Sequence, residues 1–148
     1  MVLQTDKKLF PAIYEEGCLF LDYLYIASKI IGHTWTPEQV NLAYLAFVYE
    51  KWMQANCRIL QPDKMLGLLG VELDGWIRHE KETYERKSNE IEIEKWFNSR
   101  TGHTHFIVGD PYRWDSLGES VTVREGTLQS KVVVRLPKKF NTPQEVVA

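Results

Sequence analysis

Disulfides, membrane spans and metal motifs are all lacking in this sequence. It has two cysteines in 148 residues, too few for a disulfide framework, and no CxxC or HExxH spacing of the kind that holds zinc. No apolar run approaches the roughly 20 residues of a membrane-spanning helix. The charges within residues 1–8 precede no apolar stretch like that of a secretory signal. We therefore expect a cytoplasmic protein with free thiols, no metal, no cofactor and no membrane partner.

An excess of positive charge is lacking too. Lys and Arg number 18 against 20 Asp and Glu, which gives a formal charge of −2. A nucleic-acid binder needs a basic surface, so nucleic acid is not an expected partner. What is present is a globular composition, 44% hydrophobic and 26% charged. The length predicts a single domain over 1–148, with a core from about 10 to 136 and a flexible tail over 137–148, and no pattern indicates an oligomeric state.

Two long helices are predicted in the first half of the chain. The first covers Cys18–Ile31, stops near Gly32 and is apolar nearly all round, which is typical of a buried helix. The second begins at a capping-box pattern of Thr36 with Gln39 and continues to about residue 53. A short extended piece over 57–60 and a third helix over 63–69 should follow.

Beyond residue 75 the pattern changes to period two and becomes rich in β-branched and aromatic residues. Turn-forming residues separate the candidate strands and no helix is predicted between them, so the strands should pair antiparallel. The predicted strands are Trp76–Glu82, Glu90–Phe97, His105–Gly109, Ser120–Arg124 and Ser130–Leu136. The sequence therefore predicts an α+β fold in which N-terminal helices pack on a C-terminal antiparallel sheet.

Cys18 is the first candidate for chemistry because it begins the apolar first helix. The unpaired N–H groups and dipole of a helix N-terminus lower the pKa of a thiol and favour the reactive thiolate. Gly17 would let the chain turn sharply into the helix, and it would let the backbone of a substrate approach Cys18. Asp22 lies one turn later on the helix. If its carboxylate lies near the sulfur, its like charge would raise the pKa of the Cys18 thiol. The simpler alternative is a buried cysteine that acts as a small hydrophobic residue.

Two histidines and two aspartates could complete such a site. His105 enters a short strand that would hold its imidazole rigidly, and His103 should lie on the same face of that strand. We favour His105 because it lies in the strand proper. Asp115 lies ten residues later, where a hairpin can return it beside His105, and it would fix the imidazole tautomer. Asp110 competes for that role but reads more simply as a turn residue.

In these residues the chain resembles the papain-like cysteine peptidases. It most closely resembles the bacteriocin-processing (double-glycine) peptidase-like branch of that family. The matching stretches are Gly17-Cys18, His105-Phe106-Ile107-Val108 and Trp114-Asp115-Ser116. Over residues 14–136 the chain is also similar to small proteins of phages and mobile elements. The resemblance implies a papain-like fold and a cysteine hydrolase that cleaves a peptide, isopeptide or amide bond. Cys18 would attack, His105 would protonate the leaving amine and Asp115 would orient His105.

One feature of that family is not matched: a glutamine several residues before the nucleophile, whose amide donates to the oxyanion. Residues 12–16 contain none, and the nearest upstream glutamine is Gln4. Losing an oxyanion donor costs about 10²–10³ in turnover. A second interpretation is therefore a catalytically silent binding module in phage–host conflict. It would bind a host protein or sequester a small anionic, nucleotide-like ligand, with Arg113 and Trp114 as candidate contacts. A third is a structural protein in which Cys18 and His105 are core residues.

Overall fold

The computed structural model describes residues 1–139 of the chain. Its helices are α1 (Pro11–Glu16), α2 (Cys18–Ile31), α3 (Pro37–Tyr49), α4 (Pro62–Leu68) and α5 (Val121–Arg124). Its strands are β1 (Arg78–Lys81), β2 (Glu90–Asn98), β3 (His103–Val108) and β4 (Thr127–Arg135). The fold is therefore of the α+β class, as predicted. Within these residues no helix is long and apolar enough to cross a membrane.

The strands form one antiparallel sheet in the order β1-β4-β2-β3. Strand β2 is central and pairs with β3 from Ile93 opposite Val108 to Asn98 opposite His103. Strand β3 is therefore an edge strand, and its free side is open to whatever chain segment returns beside it. This edge is the part of the sheet that carries the candidate histidines.

Helix α2 lies in the middle of the hydrophobic core. Its side chains are buried on nearly every side, because α3, α4 and the sheet all contribute to one apolar cluster around it. The ring of Phe20 meets Phe47 of α3 edge-on at 6.0 Å between centroids. From the sheet, Ile91 and Ile93 of β2 enter the same cluster. Burial on this scale fixes the position of the helix start, and with it Cys18.

The alternate positions of β2 carry buried carboxylates, each neutralised by a cation. Ionised carboxylates are costly to bury without a partner, so these pairs are required by the burial. The pairs are Glu90 with Arg78 at 2.8 Å, Glu92 with Lys131 at 2.9 Å, and Glu94 with Arg113 at 3.2 Å.

Several predicted elements are confirmed and others are wrong. Helix α2 has the predicted bounds, and Gly32 ends it in the left-handed conformation at φ 71°. The capping box of Thr36 and Gln39 is present at the start of α3, but that helix ends at Tyr49 rather than near residue 53. Helix α1 was not predicted. The piece predicted as extended over 57–60 makes one ladder contact, an isolated antiparallel bridge between Met53 and Ile59.

The predicted strand over Ser120–Arg124 is the clearest error, because this segment is the short helix α5. The Ser120 side chain accepts a hydrogen bond from the Val123 N–H at 3.4 Å and so caps that turn. Strand β1 is shorter than predicted, and β3 and β4 begin two and three residues earlier. The predicted flexible tail falls mostly on residues 140–148, outside the described part of the chain.

Candidate functional site

The loop after β3 folds back onto that edge strand. Val108 and Trp114 exchange two backbone hydrogen bonds of 2.9 Å, and the Trp114 ring stacks on Tyr25 of α2 at 4.5 Å between centroids. The bridge and the ring contact together hold the loop between the sheet edge and the helix. Asp115, the next residue, is thereby brought beside His105.

His105 and Asp115 form a tight buried pair. Nε2 of His105 lies 2.7 Å from Oδ1 of Asp115, and the His105 side chain is only 6% exposed. Two backbone N–H groups also donate to the Asp115 carboxylate, from Leu117 at 2.9 Å and from Ser120 at 3.0 Å. A carboxylate held by three donors can fix both the orientation and the tautomer of an imidazole.

The electrostatics of this pair favour two charges. Burial alone would lower the pKa of His105, but hydrogen bonds to Asp115 and Cys18 and the negative charges of both raise it to about 9. Burial would raise the pKa of Asp115, but hydrogen bonds from His105, Leu117 and Ser120 lower it to about 2. Near neutral pH the site therefore holds an imidazolium and a carboxylate.

Cys18 lies at the first position of α2 and is partly exposed. Because Nε2 of His105 is taken by Asp115, Nδ1 is the ring nitrogen that is left for another partner. Gly17 is buried, and a Cβ at this position would lie 2.5 Å from the carbonyl oxygen of Ile13. Gly17 is thus required by the close approach of α1 to α2, and it does not line the cleft described next.

Cys18 and His105 line the same cleft, which has a volume of about 450 Å³. Its walls come from the N-terminal segment, α1, the start of α2, the start of β3, the loop after β3 and α5, and most of the lining residues have polar side chains. The other lining residues are Gln4, Glu15, Glu16, Gly102, His103, Thr104, Leu117 and Thr122. The exposed His103 is therefore beside the predicted nucleophile, but the buried His105 makes the carboxylate pair.

Gln4, which lies too far upstream of Cys18 in the sequence to match the glutamine of the peptidase family, lines the same cleft. Its backbone N–H donates to the Ser116 carbonyl at 2.8 Å, and its side-chain Oε1 accepts from the Ser116 hydroxyl at 2.9 Å. Its Nε2 donates one proton to the Tyr14 carbonyl at 3.3 Å. An amide nitrogen has two protons, so Nε2 keeps a second one, and Gln4 lines the same cleft as Cys18. The folding back of the chain through α1 places it there.

Asp22 lies one turn into α2 from Cys18 and is fully buried. Burial first, and then the negative charges of Cys18 and Asp115, raise the pKa of its carboxyl well above the usual range. Burial beside two groups that are anionic when ionised therefore favours the protonated form of Asp22.

The competing residues lie elsewhere. Asp110 is exposed at the far end of β3, where its carbonyl accepts from the Glu92 N–H at 2.9 Å. Arg113 and Trp114 line a second cavity of about 390 Å³, which adjoins Asp115 from the side of α5 and includes Arg124. The structure thus brings Cys18, His105 and Asp115 together and sets the candidate anion contacts apart.

The second cysteine is of a different kind. Cys57 is buried, and its thiol donates to the Ala12 carbonyl at 3.6 Å. Burial first, and then the charges of Cys18 and Glu16, raise its pKa to about 12. Both cysteines are free thiols. Across residues 1–139 no group of three or more His, Cys, Asp or Glu side chains is placed to hold a metal ion.

A family model described as "Protein of unknown function, DUF261" matches residues 1–136. The chain therefore belongs to that family. No curated protein and no solved structure matches it.

Proposed function

We propose that this member of the DUF261 family is a papain-like cysteine hydrolase that cleaves a peptide, isopeptide or amide bond. One observation carries the proposal. A buried His105 is bonded to the Asp115 carboxylate at 2.7 Å, and Cys18 at the start of α2 lines the same open cleft as His105. A nucleophile, a base within reach of it and a group that orients the base are the parts that acyl transfer requires.

The charge state of the site favours an activated thiol. The pKa of His105 is raised to about 9, so His105 is an imidazolium at neutral pH and can act as the counter-cation of a thiolate that forms on its neighbour in the cleft. The first-turn N–H groups of α2 also act on the sulfur. Asp115 accepts from Nε2 and keeps Nδ1, with its proton, directed at the sulfur and the substrate.

In the first half of the reaction the Cys18 sulfur attacks the substrate carbonyl carbon, and its electron pair forms the new C–S bond. The carbonyl electrons move to oxygen and then return as the C–N bond breaks. His105 gives its proton to the departing amine, which leaves a thioester on Cys18. His105, now neutral, takes a proton from water in the second half, and hydroxide displaces the sulfur to release the acid.

Gln4 is the side-chain donor for the oxyanion in this scheme. Its free Nε2 proton is available to the cleft, and the bonds to Ser116 and Tyr14 fix the amide orientation. Replacing Gln4 with Ala should lower acyl-transfer turnover by about 10²–10³. The exposed Gln54→Ala is the matched control and should have no effect. Equal turnover in the two variants, with folding unchanged by circular dichroism, would exclude Gln4 from the oxyanion site.

Selective alkylation tests the activated thiol. Iodoacetamide at pH 6 to 8 should modify Cys18 much faster than Cys57, whose pKa is raised to about 12. Peptide mapping by mass spectrometry distinguishes the two sites in one sample. His105→Ala should remove most of the advantage of Cys18. Equal, slow modification of both thiols, unaffected by His105→Ala, would contradict the proposal.

The second cavity favours a second candidate function, a catalytically silent module that sequesters a small anionic ligand during phage–host conflict. Arg113 and Arg124 line this cavity and are suited to bind the phosphate of a nucleotide. The flat ring of Trp114 lines it too and is suited to the base. Adenosine monophosphate is the probe. Calorimetric binding that is lost in Arg124→Ala, together with a slow Cys18, would favour this candidate over the hydrolase. Under either candidate we place the action in the cytoplasm of a bacterial or phage-infected cell.

A further inference from the structure

Two glutamates at the cleft are not used by the scheme above. Glu15 and Glu16 are the last residues of α1, and the chain passes from them through Gly17 to Cys18. Both glutamates are exposed, and both line the cleft that also contains Cys18 and His105. Within residues 1–139 neither glutamate side chain forms an ion pair or a hydrogen bond. Their two negative charges are therefore available to a molecule that enters the cleft.

The walls of the cleft supply no basic side chain to offset these charges. None of the described residues that line it is Lys or Arg, and among them only the two imidazoles can become positive. His105 is bonded to Asp115, and His103 forms no ion pair in the described part of the chain. The carboxylates of β2, by contrast, each have a Lys or Arg nitrogen within 3.2 Å. At the cleft the fold thus leaves the charge of two carboxylates without a counter-charge.

The neighbouring helices give no net reason for two glutamates at this corner. A helix end favours basic side chains, and the last turn of α1 has none. A helix start favours acidic side chains, so α2 has the opposite effect on the same two residues. Beside a nucleophile, however, a wall of one sign attracts molecules of the opposite sign and raises their local concentration. The acidic wall therefore suits a substrate that carries positive charge.

We propose that Glu15 and Glu16 set the substrate specificity of the hydrolase by binding an ammonium or guanidinium group close to the scissile carbonyl. Such a group can come from a Lys or Arg side chain or from the amino terminus of a peptide. The proposal rests on the proposed function, because the cleft is a substrate site only if Cys18 is the nucleophile. The charge of the cleft can be measured without any turnover, so the two can be tested separately.

Thiosulfonate reagents of opposite charge measure the charge at Cys18. The full chain with Cys57→Ala reacts with a cationic trimethylammonium-ethyl or an anionic sulfonato-ethyl methanethiosulfonate, and each rate is divided by that of 2-mercaptoethanol. The cationic reagent should be preferred. Replacing both glutamates, Glu15→Gln with Glu16→Gln, should lower this preference by about threefold or more, because two unit charges leave the cleft. Glu38→Gln, an exposed glutamate of α3 outside the cleft, is the matched control and should leave the preference unchanged.

Substrate preference is measured with acetylated, internally quenched peptides in which Ala alternates with Lys, norleucine or Glu, so that the chosen side chain adjoins every bond. The Lys peptide should be cleaved with the highest kcat/KM. The double Gln variant should raise its KM by about threefold or more and leave kcat near the wild-type value, because this binding is equal in the ground and transition states. A gain confined to a non-acetylated norleucine peptide would identify the amino terminus as the source of the cation.

An unchanged reagent preference in the double variant would overturn the proposal. Equal kcat/KM for the Lys and norleucine peptides, with no gain from a free amino terminus, would overturn it too. So would the same loss of preference in Glu38→Gln, since the effect would then come from the total charge of the protein. A wild-type Cys18 that reacts with iodoacetamide no faster than Cys57 would instead refute the proposed function.

Discussion

Replacing His105 with Gln should change how stability depends on pH. The pKa of His105 rises from 6.5 to about 9 on folding, because its bonds and charge contacts with Asp115 and Cys18 outweigh its burial. The folded protein therefore binds this proton more tightly than the unfolded chain. Gln cannot titrate, so it removes this contribution while leaving a polar side chain that still reaches Asp115.

The sign and size follow from the two pKa values of His105. A raised pKa stabilises the fold fully below the unfolded value near 6.5, and the contribution is lost as the pH rises through about 9. The difference of about 2.5 in pKa, at about 1.4 kcal/mol each, gives about 3 kcal/mol. Solvent screening is small because the side chain is only 6% exposed. Asp115 acts at the acid end, where its contribution is lost as the pH falls through about 2.

Urea unfolding of the wild type and His105→Gln at pH 5 to 9.5 measures the effect directly. The advantage of the wild type should be largest below about pH 6.5 and should shrink by about 3 kcal/mol by pH 9.5. His103→Gln, on the same strand but exposed, is the matched control and should change stability by no more than about 0.5 kcal/mol. A wild-type advantage that stays constant across this range would refute the electrostatic account of the His105–Asp115 pair.

Two further substitutions, each with a control variant, test the site and the packing beside it. Asp115→Asn should slow alkylation of Cys18 at neutral pH by about tenfold or more, because an amide cannot stabilise the imidazolium. Asp110→Asn should leave the alkylation rate near that of the wild type. The opposite order of the two rates, measured by peptide mapping, would assign the orienting role to Asp110. Gly17→Ala should destabilise the fold by about 1–3 kcal/mol, since the added Cβ would lie 2.5 Å from a carbonyl oxygen. Gly67→Ala, in α4 with open space around it, should instead stabilise by about 0.5–1 kcal/mol in the same thermal unfolding assay.

The parts of the fold that the sequence predicted well are those governed by local signals. Helix α2 is apolar all round and is followed by a glycine that adopts φ 71°, so both its burial and its end were readable. Thr36 and Gln39 satisfy each other at the start of α3, which makes the capping box a self-contained signal. The end of α3 has no such signal, and the prediction ran past Tyr49.

The errors arise where non-local structure overrides local preference. Val121 and Val123 favour a strand, but the Ser120 hydroxyl caps one helical turn, and β4 takes the place beside β2. Helix α1 is short, with Ile13 as its buried residue, so it shows no readable period. Because α1 was missed, Gln4 appeared remote from Cys18 along the chain.

In the candidate site, too, the features set by local contacts could be predicted and those set by distant contacts could not. The pairing of His105 with Asp115 could be anticipated, because the segment between them is long enough to form a hairpin. The bridge between Val108 and Trp114 that closes this hairpin is a local contact. The burial of Asp22 could not be anticipated, since the sequence shows a charged residue type but not what packs around it. The charge of a buried carboxyl depends on what packs against it, and those contacts come from distant segments.

The most direct test of Cys18 as the nucleophile of acyl transfer is pre-steady-state hydrolysis of p-nitrophenyl acetate. The account predicts a burst of p-nitrophenolate equal in amount to the enzyme, an acetyl group on Cys18 in the quenched sample, and slower release thereafter. Cys18→Ala should abolish the burst, His105→Ala should slow it strongly, and Cys57→Ala should leave it unchanged. A release rate that is linear from the start and the same in Cys18→Ala would contradict the account.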